Sequence, residues 1–306
     1  MRVRVIINPA AGQAEPVLAE LNRAFAERSI AWDAAVTSAR RDAAALAREA
    51  VREGVELVAA YGGDGTISSA AAGLVGGEVP LAILPGGTNN VIAQALEIPL
   101  ALADAAALVG GDQAEATWID TLRVGDRHAL IRVGVGADAK MIERSTRARK
   151  DRLGWLAYLI AALEQAAVAE PVPFTVTLDD RVIEREALSC IVTNIGRIGR
   201  GGLRLPGPIS PFDGALDVLL IRRASLEAAR TLCAGLLAGD APSPEPQDDA
   251  AIVYHRGTRV RVDATPPQPA QVDGESLGTT PLEVTVAPRS LRVVTPRATQ
   301  PALAEA

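Results

Sequence analysis

The sequence predicts an α/β fold: a parallel sheet flanked by helices over the first 110 residues, then a strand-rich region from about residue 122. Three observations carry this. The apolar runs "VRVIIN" (3–8), "VELVAAY" (55–61) and "PLAILP" (80–85) are short and continuous, as strands buried on both faces are. Between them, "EPVLAELNRAFAER" and "RDAAALAREAVREG" have helical apolar spacing. Beyond residue 115 the pattern changes to many strands with few helices.

In order along the chain, "VRVIIN" ends at Asn-Pro, and the first helix follows. "AWDAAV" reads as the second strand, with Thr37 and Ser38 after it. The second helix closes at Gly54, "VELVAAY" runs into Gly-Gly, and "PLAILP" runs into Gly-Gly again. Strand and helix in alternation give a parallel sheet with helices on both faces. Ligands of such sheets sit at the carboxyl ends of the strands. The later region opens with "ATWIDTLRVGDRHALIRVGVG", a hairpin around Gly125-Asp126. "DRLGWLAYLIAALEQAAVAE" (151–170) reads as one long helix and "SLEAARTLCAGLLAG" (225–239) as another, followed by an exposed Pro- and acid-rich loop at 240–250. The strands expected there are "FTVTLDDRVIEREALSCIVTN", "GALDVLLIRR", "AIVYHRGTRVRVDA", "PLEVTVAP" and "SLRVVTP".

The 306 residues are enough to bury a substantial core, and 48% hydrophobic with 22% charged residues is ordinary for a globular protein. Aromatics at 3% leave the core to Ala, Val, Leu and Ile. A net charge of -6 argues against a nucleic-acid partner, because phosphate backbones select basic faces. Cys190 and Cys233 have no CxxC spacing and read as buried free thiols of a reducing compartment. The opening "MRVRVIINP" contains no long apolar signal region and no stretch reaches the length of a membrane span, so the expectation is a cytoplasmic protein with only peripheral membrane contact.

Three loops concentrate the small and polar residues. "INPAAG" (7–12) can present backbone N–H groups and a helix N-terminus to an anion; alone, a plain βα turn is the better reading. "GGDGT" (62–66) adds an acid and a hydroxyl to room for a close backbone approach. Asp64 would be awkward beside phosphates without a Mg²⁺ between them. "PGGTNN" (85–90) repeats the recipe with Thr88, Asn89 and Asn90. Three such loops at three strand ends favour a phosphate-rich ligand over three coincidental turns. No GxxxxGK[ST], HRD or DFG set occurs, and "GVGADA" (134–139) lies in the wrong context for a dinucleotide fingerprint. His128 and His255 show no metal-like spacing. In "AQVDGESLGTTP" (270–281), Asp273 and Glu275 flank Gly274; spacing alone favours a hairpin turn over a carboxylate acting as general base. Asp213 in "ISPFDGALDV" is either part of a turn or a cation ligand.

Taken together and in order, "NPAAG", "GGDGT", "PGGTNN", "RIGRGGLRLPGPISPFDGALDV" and "QVDGE" resemble the diacylglycerol kinase and sphingosine kinase-like lipid kinases, above all the soluble bacterial members, over Asn8 to about Pro296. The resemblance implies a Rossmann-like nucleotide-binding domain, similar to NAD kinase and phosphofructokinase, over 1–122. A β-sandwich lipid-substrate domain would follow over 123–288, with a return strand to the first domain and a tail over 289–306. It implies transfer of the ATP γ-phosphoryl group to the hydroxyl of a diacylglycerol- or sphingoid-type lipid. Asn8, Pro9, Ala10 and Gly12 would line the nucleotide site with Thr37, and Gly62, Gly63, Asp64, Gly65 and Thr66 would wrap the phosphates, with Gly87, Thr88 and Asn90 nearby. Asp64 would be the acid at the Mg²⁺ end and Glu275 the proton acceptor, with Asp273 beside it; Asp213 would bind a structural Mg²⁺ with Ser210 and the Ala215 carbonyl.

The chain departs from this pattern at Ser68 and Ser69, where the family often has Asn-Glu, and at Val91, where it often has Asp. Two other readings therefore stay open: a kinase of a non-lipid alcohol, NAD included, and a nucleotide- or lipid-binding regulator without catalysis. The expected partner is a lipid met at the inner membrane face, with oligomeric state open and a homodimer among the options. Residues 140–152 carry Lys140, Arg144, Arg147, Arg149, Lys150 and Arg152 just before Leu153, Trp155, Leu156 and Tyr158. A solvated helix entry and a docking segment for an anionic bilayer both account for that run.

Overall fold

The computed structural model describes residues 1–12, 16–136, 170–198, 203–223 and 250–297. The basic segment 140–152, the helices expected over 151–170 and 225–239, most of the loop 240–250, part of "GVGADA" and Cys233 fall outside them. The chain divides into two units, Met1–Asp120 with Pro288–Ala306, and Thr121–Ala287.

The first unit alternates strand and helix: β1 (Arg2–Ile7), α1 (Val17–Ala26), β2 (Ala31–Val36), α2 (Ala43–Arg52), β3 (Leu57–Gly62), α3 (Asp64–Ala72), β4 (Leu81–Pro85), α4 (Val91–Ala95) and α5 (Leu102–Ala107). Its strands lie in the order β2-β1-β3-β4, all parallel. Every residue of β3 and β4 is buried, as their unbroken apolar runs require. The helices pack through small residues. α2 buries Ala43, Ala44, Leu46, Ala47 and Ala50, and its first turn is held by the Asp42 side chain accepting from the Ala45 N–H at 2.7 Å. From β1 the chain moves outward to β2, then returns to set β3 on the other side of β1. That reversal opens a crevice at the carboxyl ends of β1 and β3, where ligands of doubly wound sheets bind.

β5 (Ala114–Val124) leads into the second unit. There one antiparallel sheet is built from β7 (Arg132–Gly136), β10 (Ser189–Thr193), β13 (Leu216–Ile221), β14 (Ile252–Gly257), β16 (Pro269–Val272) and β17 (Glu275–Thr279), ordered β14-β13-β10-β7-β16-β17. A second antiparallel set joins β8 (Val172–Leu178), β9 (Arg181–Ala187), β15 (Arg259–Ala264) and the start of β18 (Leu282–Pro296). Short β6 (Arg127–Ala129) completes the hairpin with β5 around Gly125-Asp126, and β11 (Arg197–Ile198) pairs with β12 (Leu203–Arg204). Val133, Val135, Cys190, Val192, Val218 and Leu220 of the first sheet share one buried cluster with Phe174, Val176, Leu178, Val260, Val262 and Val284 of the second set. This is a sandwich core. Cys190 lies inside it, and burial pushes its thiol up to about 12, so it behaves as a small apolar residue.

One sequence expectation is corrected. "PLEVTVAP" and "SLRVVTP" are not separate strands but one strand, β18. Its later part lies parallel to β4, with Val293 opposite Leu81. Among the described residues, no helix is long and apolar enough to cross a membrane.

Asp179, at the β8–β9 turn, ties that hairpin to the β14–β15 connection. Its carboxylate accepts from the Thr258 N–H at 3.1 Å, the Thr258 hydroxyl at 2.9 Å and the Arg259 N–H at 3.0 Å. Desolvation by the neighbouring turn opposes ionisation, but the Thr258 and Arg259 donors, with Arg181 nearby, outweigh it and hold this exposed carboxyl below its ordinary value. A depressed carboxyl adds stability above its unfolded pKa and loses it as pH falls through the folded one. Asp179→Ala is therefore expected to cost about 1 kcal/mol at neutral pH. Denaturant melts should show that deficit shrinking toward acid, and a deficit independent of pH would contradict the clamp.

Candidate active site

The residues expected to hold a nucleotide all lie in the first unit, at the carboxyl ends of its strands. Asn8, Pro9, Ala10 and Gly12 follow β1; Thr37 follows β2; Gly62 ends β3 and Gly63 precedes α3; Gly87, Thr88 and Asn90 connect β4 to α4. Hydrogen bonds join these loops. The Asn8 N–H donates to the Tyr61 carbonyl at 3.0 Å, and the Asn8 amide nitrogen donates to the Thr66 hydroxyl at 2.9 Å. The Asn8 side-chain oxygen accepts from the Ala10 N–H at 3.0 Å. The Gly12 N–H donates to the Gly86 carbonyl at 2.7 Å, and the Gly86 N–H to the Gly62 carbonyl at 2.9 Å. Thr37 donates its N–H to the Ile7 carbonyl at 2.9 Å, which seats it beside the end of β1.

Glycine is required here by contact. A Cβ on Gly87 would stand 2.4 Å from the Gly63 Cα and 2.9 Å from the Asn90 side-chain oxygen. Gly62 has no room for one against Thr66, at 2.6 Å. Sequence reasoning missed what lies beneath: Tyr61, 1% exposed, presses its ring against both loops. A Cβ on Gly12 would be 2.2 Å from the Tyr61 hydroxyl oxygen, and one on Gly86 would be 2.7 Å from the ring. The strand pattern marks Tyr61 as buried; nothing in it marks the ring as a support for two loops. Gly86, absent from the expected set, belongs to the same contact.

α3 begins at once after Gly63, so "GGDGT" is a strand end and a helix start. Gly65 is exposed in that first turn, and a methyl there would meet nothing within 4 Å. First-turn N–H groups and the helix dipole favour an anion at this point. Asp64 is half-buried in the same turn, and its Oδ1 accepts from the Ile92 N–H at 3.1 Å, tying α3 to α4. Asn90, left-handed at φ +50°, closes the Gly87 turn by exchanging hydrogen bonds with the Gly87 N–H and carbonyl, at 2.9 and 3.0 Å. The departure residue Ser69 accepts from the Ala44 N–H at 3.2 Å, which joins α3 to the start of α2. Val91 is buried at the start of α4.

In the second unit, Asp273 and Gly274 form the two-residue turn between β16 and β17, with φ +45° and +96°. Positive φ at both positions is the hairpin turn that Asp-Gly favours. Its acid does more than turn the chain. The Asp273 carboxylate accepts three backbone N–H groups, from Leu130 at 2.8 Å, Ile131 at 3.0 Å and Arg132 at 2.9 Å. Glu275 opens β17 with a side chain 78% exposed, and Arg127 stands 3.8 Å away. The two acids flank one glycine but have opposite environments.

The expected structural Mg²⁺ at Asp213, Ser210 and Ala215 does not fit this arrangement. One Asp213 oxygen accepts from the Ala215 N–H at 3.1 Å and the other pairs with the Arg256 guanidinium. Ser210 turns its hydroxyl oxygen to the Phe212 N–H at 3.3 Å. Asp64, by contrast, fits a Mg²⁺ shared with phosphate oxygens, being a half-buried carboxylate at a helix start beside exposed Gly65. The packing of the loops yields a stability test. Gly87→Ala should lower the melting temperature by the equivalent of roughly 1–3 kcal/mol, as overpacking does, and an unchanged melt would refute the close contact with Gly63.

Comparison with known proteins matches both units. Residues 2–123 match the diacylglycerol kinase catalytic domain, and 131–295 match the YegS C-terminal NAD kinase beta sandwich-like domain. A diacylglycerol kinase of Bacillus subtilis is 28% identical over 97% of each chain. A protein of Xanthomonas campestris named a probable YegS-like lipid kinase is 34% identical over 75% of this chain and 76% of its own. The fold is shared with a solved diacylglycerol kinase structure from Bacillus anthracis, at a TM-score of 0.75 and 22% identity over 98% of each chain. With two family domains covering nearly all of its length, the chain belongs to the diacylglycerol kinase and YegS-like family of lipid kinases.

Proposed function

We propose that the protein transfers the γ-phosphoryl group of ATP to the hydroxyl of a diacylglycerol- or sphingoid-type lipid met at a membrane surface. The observation that carries the reading is the divergent placement of its acids: Asp64 at the start of α3, Asp273 spent on backbone N–H groups, and Glu275 exposed.

On the nucleotide side, Asn8, Pro9, Ala10 and Gly12 with Thr37 form one wall, and Gly62–Thr66 with Gly87, Thr88 and Asn90 receive the phosphates. The missing Cβ atoms at Gly62 and Gly87 let these loops close on Thr66 and Gly63, Gly65 leaves open space beside them, and the first turn of α3 supplies N–H groups. Asp64 would hold Mg²⁺, which when bound neutralises charge on the phosphates. On the acceptor side, Glu275 takes the proton of the lipid hydroxyl. The hydroxyl oxygen bonds to the γ-phosphorus, and the bond to the bridging oxygen breaks to release ADP. Asp273 is assigned to positioning: its three N–H partners join the β16–β17 turn to the β6–β7 connection, which fixes where Glu275 begins. Exposed Glu275 can be reached by a hydroxyl, whereas the Asp273 carboxylate is already engaged. The long ion pair of Glu275 with Arg127 is solvent-exposed on both sides, so it adds little stability and leaves the acid accessible.

Glu275→Gln is expected to cut kcat by about 100-fold or more while ATP affinity stays unchanged; near wild-type turnover would remove Glu275 from the role of base. A second variant tests the nucleotide side. Gly65→Ala meets no neighbour and replaces glycine in a helix, so the melting temperature should hold or rise. Calorimetric titration should nonetheless show ATP binding weakened by about tenfold, a loss of 1.4 kcal/mol. Unaltered affinity would mean that the phosphates lie elsewhere.

A further inference from the structure

The turn at Ser210–Ala215 and the strands behind it hold a polar cluster that the proposed reaction does not use. Asp213 is paired with Arg256, and their side chains are 26% and 34% exposed. Asp217 lies directly opposite Arg256 in the β13–β14 ladder and is fully buried. One Asp217 oxygen accepts the Tyr254 hydroxyl. The other, also buried, has no hydrogen-bond partner among the described residues. Burial pushes the Asp217 carboxyl up to about 6, against the pull of the Tyr254 hydroxyl and the Arg256 charge.

Two carboxylates beside one cation, one paired with it and the other opposite it in the ladder with a buried oxygen left over, resemble the donor set of a hard divalent ion. Here the cation is part of the chain. A guanidinium is charged at every physiological pH and matches carboxylate geometry. On Asp213 it occupies lone pairs that a metal would need, since Mg²⁺ binds oxygen at about 2.1 Å and tolerates no third group between.

We propose that the Arg256 guanidinium is the built-in cation of the 210–215 turn, replacing a bound divalent ion. The turn therefore folds without metal, and removing the guanidinium leaves Asp213 and Asp217 as ligands able to take Mg²⁺ or Ca²⁺. This inference is independent of the kinase reading, because it concerns only the cohesion of the second unit.

The test is thermal melting of the full chain, without nucleotide, in excess EDTA and in millimolar MgCl2 or CaCl2. Wild type and Arg256→Lys, which keep a cation, should melt at the same temperature in all three solutions. Arg256→Met should melt several degrees lower in EDTA and recover part of that loss with Mg²⁺ or Ca²⁺. Adding Asp213→Asn to Arg256→Met should abolish the recovery. Asp213→Asn alone identifies any metal effect arising elsewhere, since such an effect persists in it. The proposal is overturned if wild type loses stability on chelation through Asp213, or if folded Arg256→Met gains nothing from either ion. Should Arg256→Met fail to fold, a metal response in Arg256→Lys counts against the proposal and its absence supports it.

Discussion

At the carboxyl edge of the first unit, the Gly63 and Gly87 backbones approach so closely that a Cβ on Gly87 would stand 2.4 Å from the Gly63 Cα. The ends of β3 and β4 can therefore lie side by side and release α3 and the β4–α4 loop at one place. Tyr61 braces that junction from beneath, with Gly12 and Gly86 both against its ring. Asp64 then ties α3 to α4 through the Ile92 N–H, and Asn8 ties the β1 loop to Thr66. Each contact is small, but all depend on the same absence of side chains. A methyl group on Gly87 would force the ends of β3 and β4 apart.

The second unit uses carboxylates in a complementary way. Asp179 and Asp273 each accept several backbone N–H groups, so their charge organises turns. Glu275, one residue beyond the Asp273–Gly274 turn, is left outward and accessible. An engaged carboxylate and an exposed one thus stand here on either side of one glycine. Asp213 is a third case, answered by an arginine side chain.

Much of this is legible in the sequence because it is local. Buried parallel strands read as apolar runs, and glycine clusters at their ends announce backbone proximity; hence the loops after β1, β3 and β4 stand out in the sequence itself. What pairs across long separations does not. The Asp273 clamp joins residues 143 apart, and nothing near "VDGE" distinguishes a carboxylate that binds N–H groups from one that accepts a proton. Ser69 looks like a lost family residue until its contact with the start of α2 is seen. Tyr61 reads only as a strand end, since a periodic pattern reports burial but not what a ring touches. β18 reads as two strands because Pro288 and Arg289 resemble a turn in one dimension, whereas in the fold Arg289 takes φ +47° within the one strand.

The proposed reaction is transfer of the ATP γ-phosphoryl group to a lipid hydroxyl. Incubating the full chain with γ-labelled ATP, Mg²⁺ and a total lipid extract, then partitioning and identifying the labelled product by mass, measures this directly. The account predicts label in a lipid monophosphate recovered in the organic phase. Label carried only by a water-soluble alcohol such as NAD, or ATP bound with no transfer to any lipid, would contradict it.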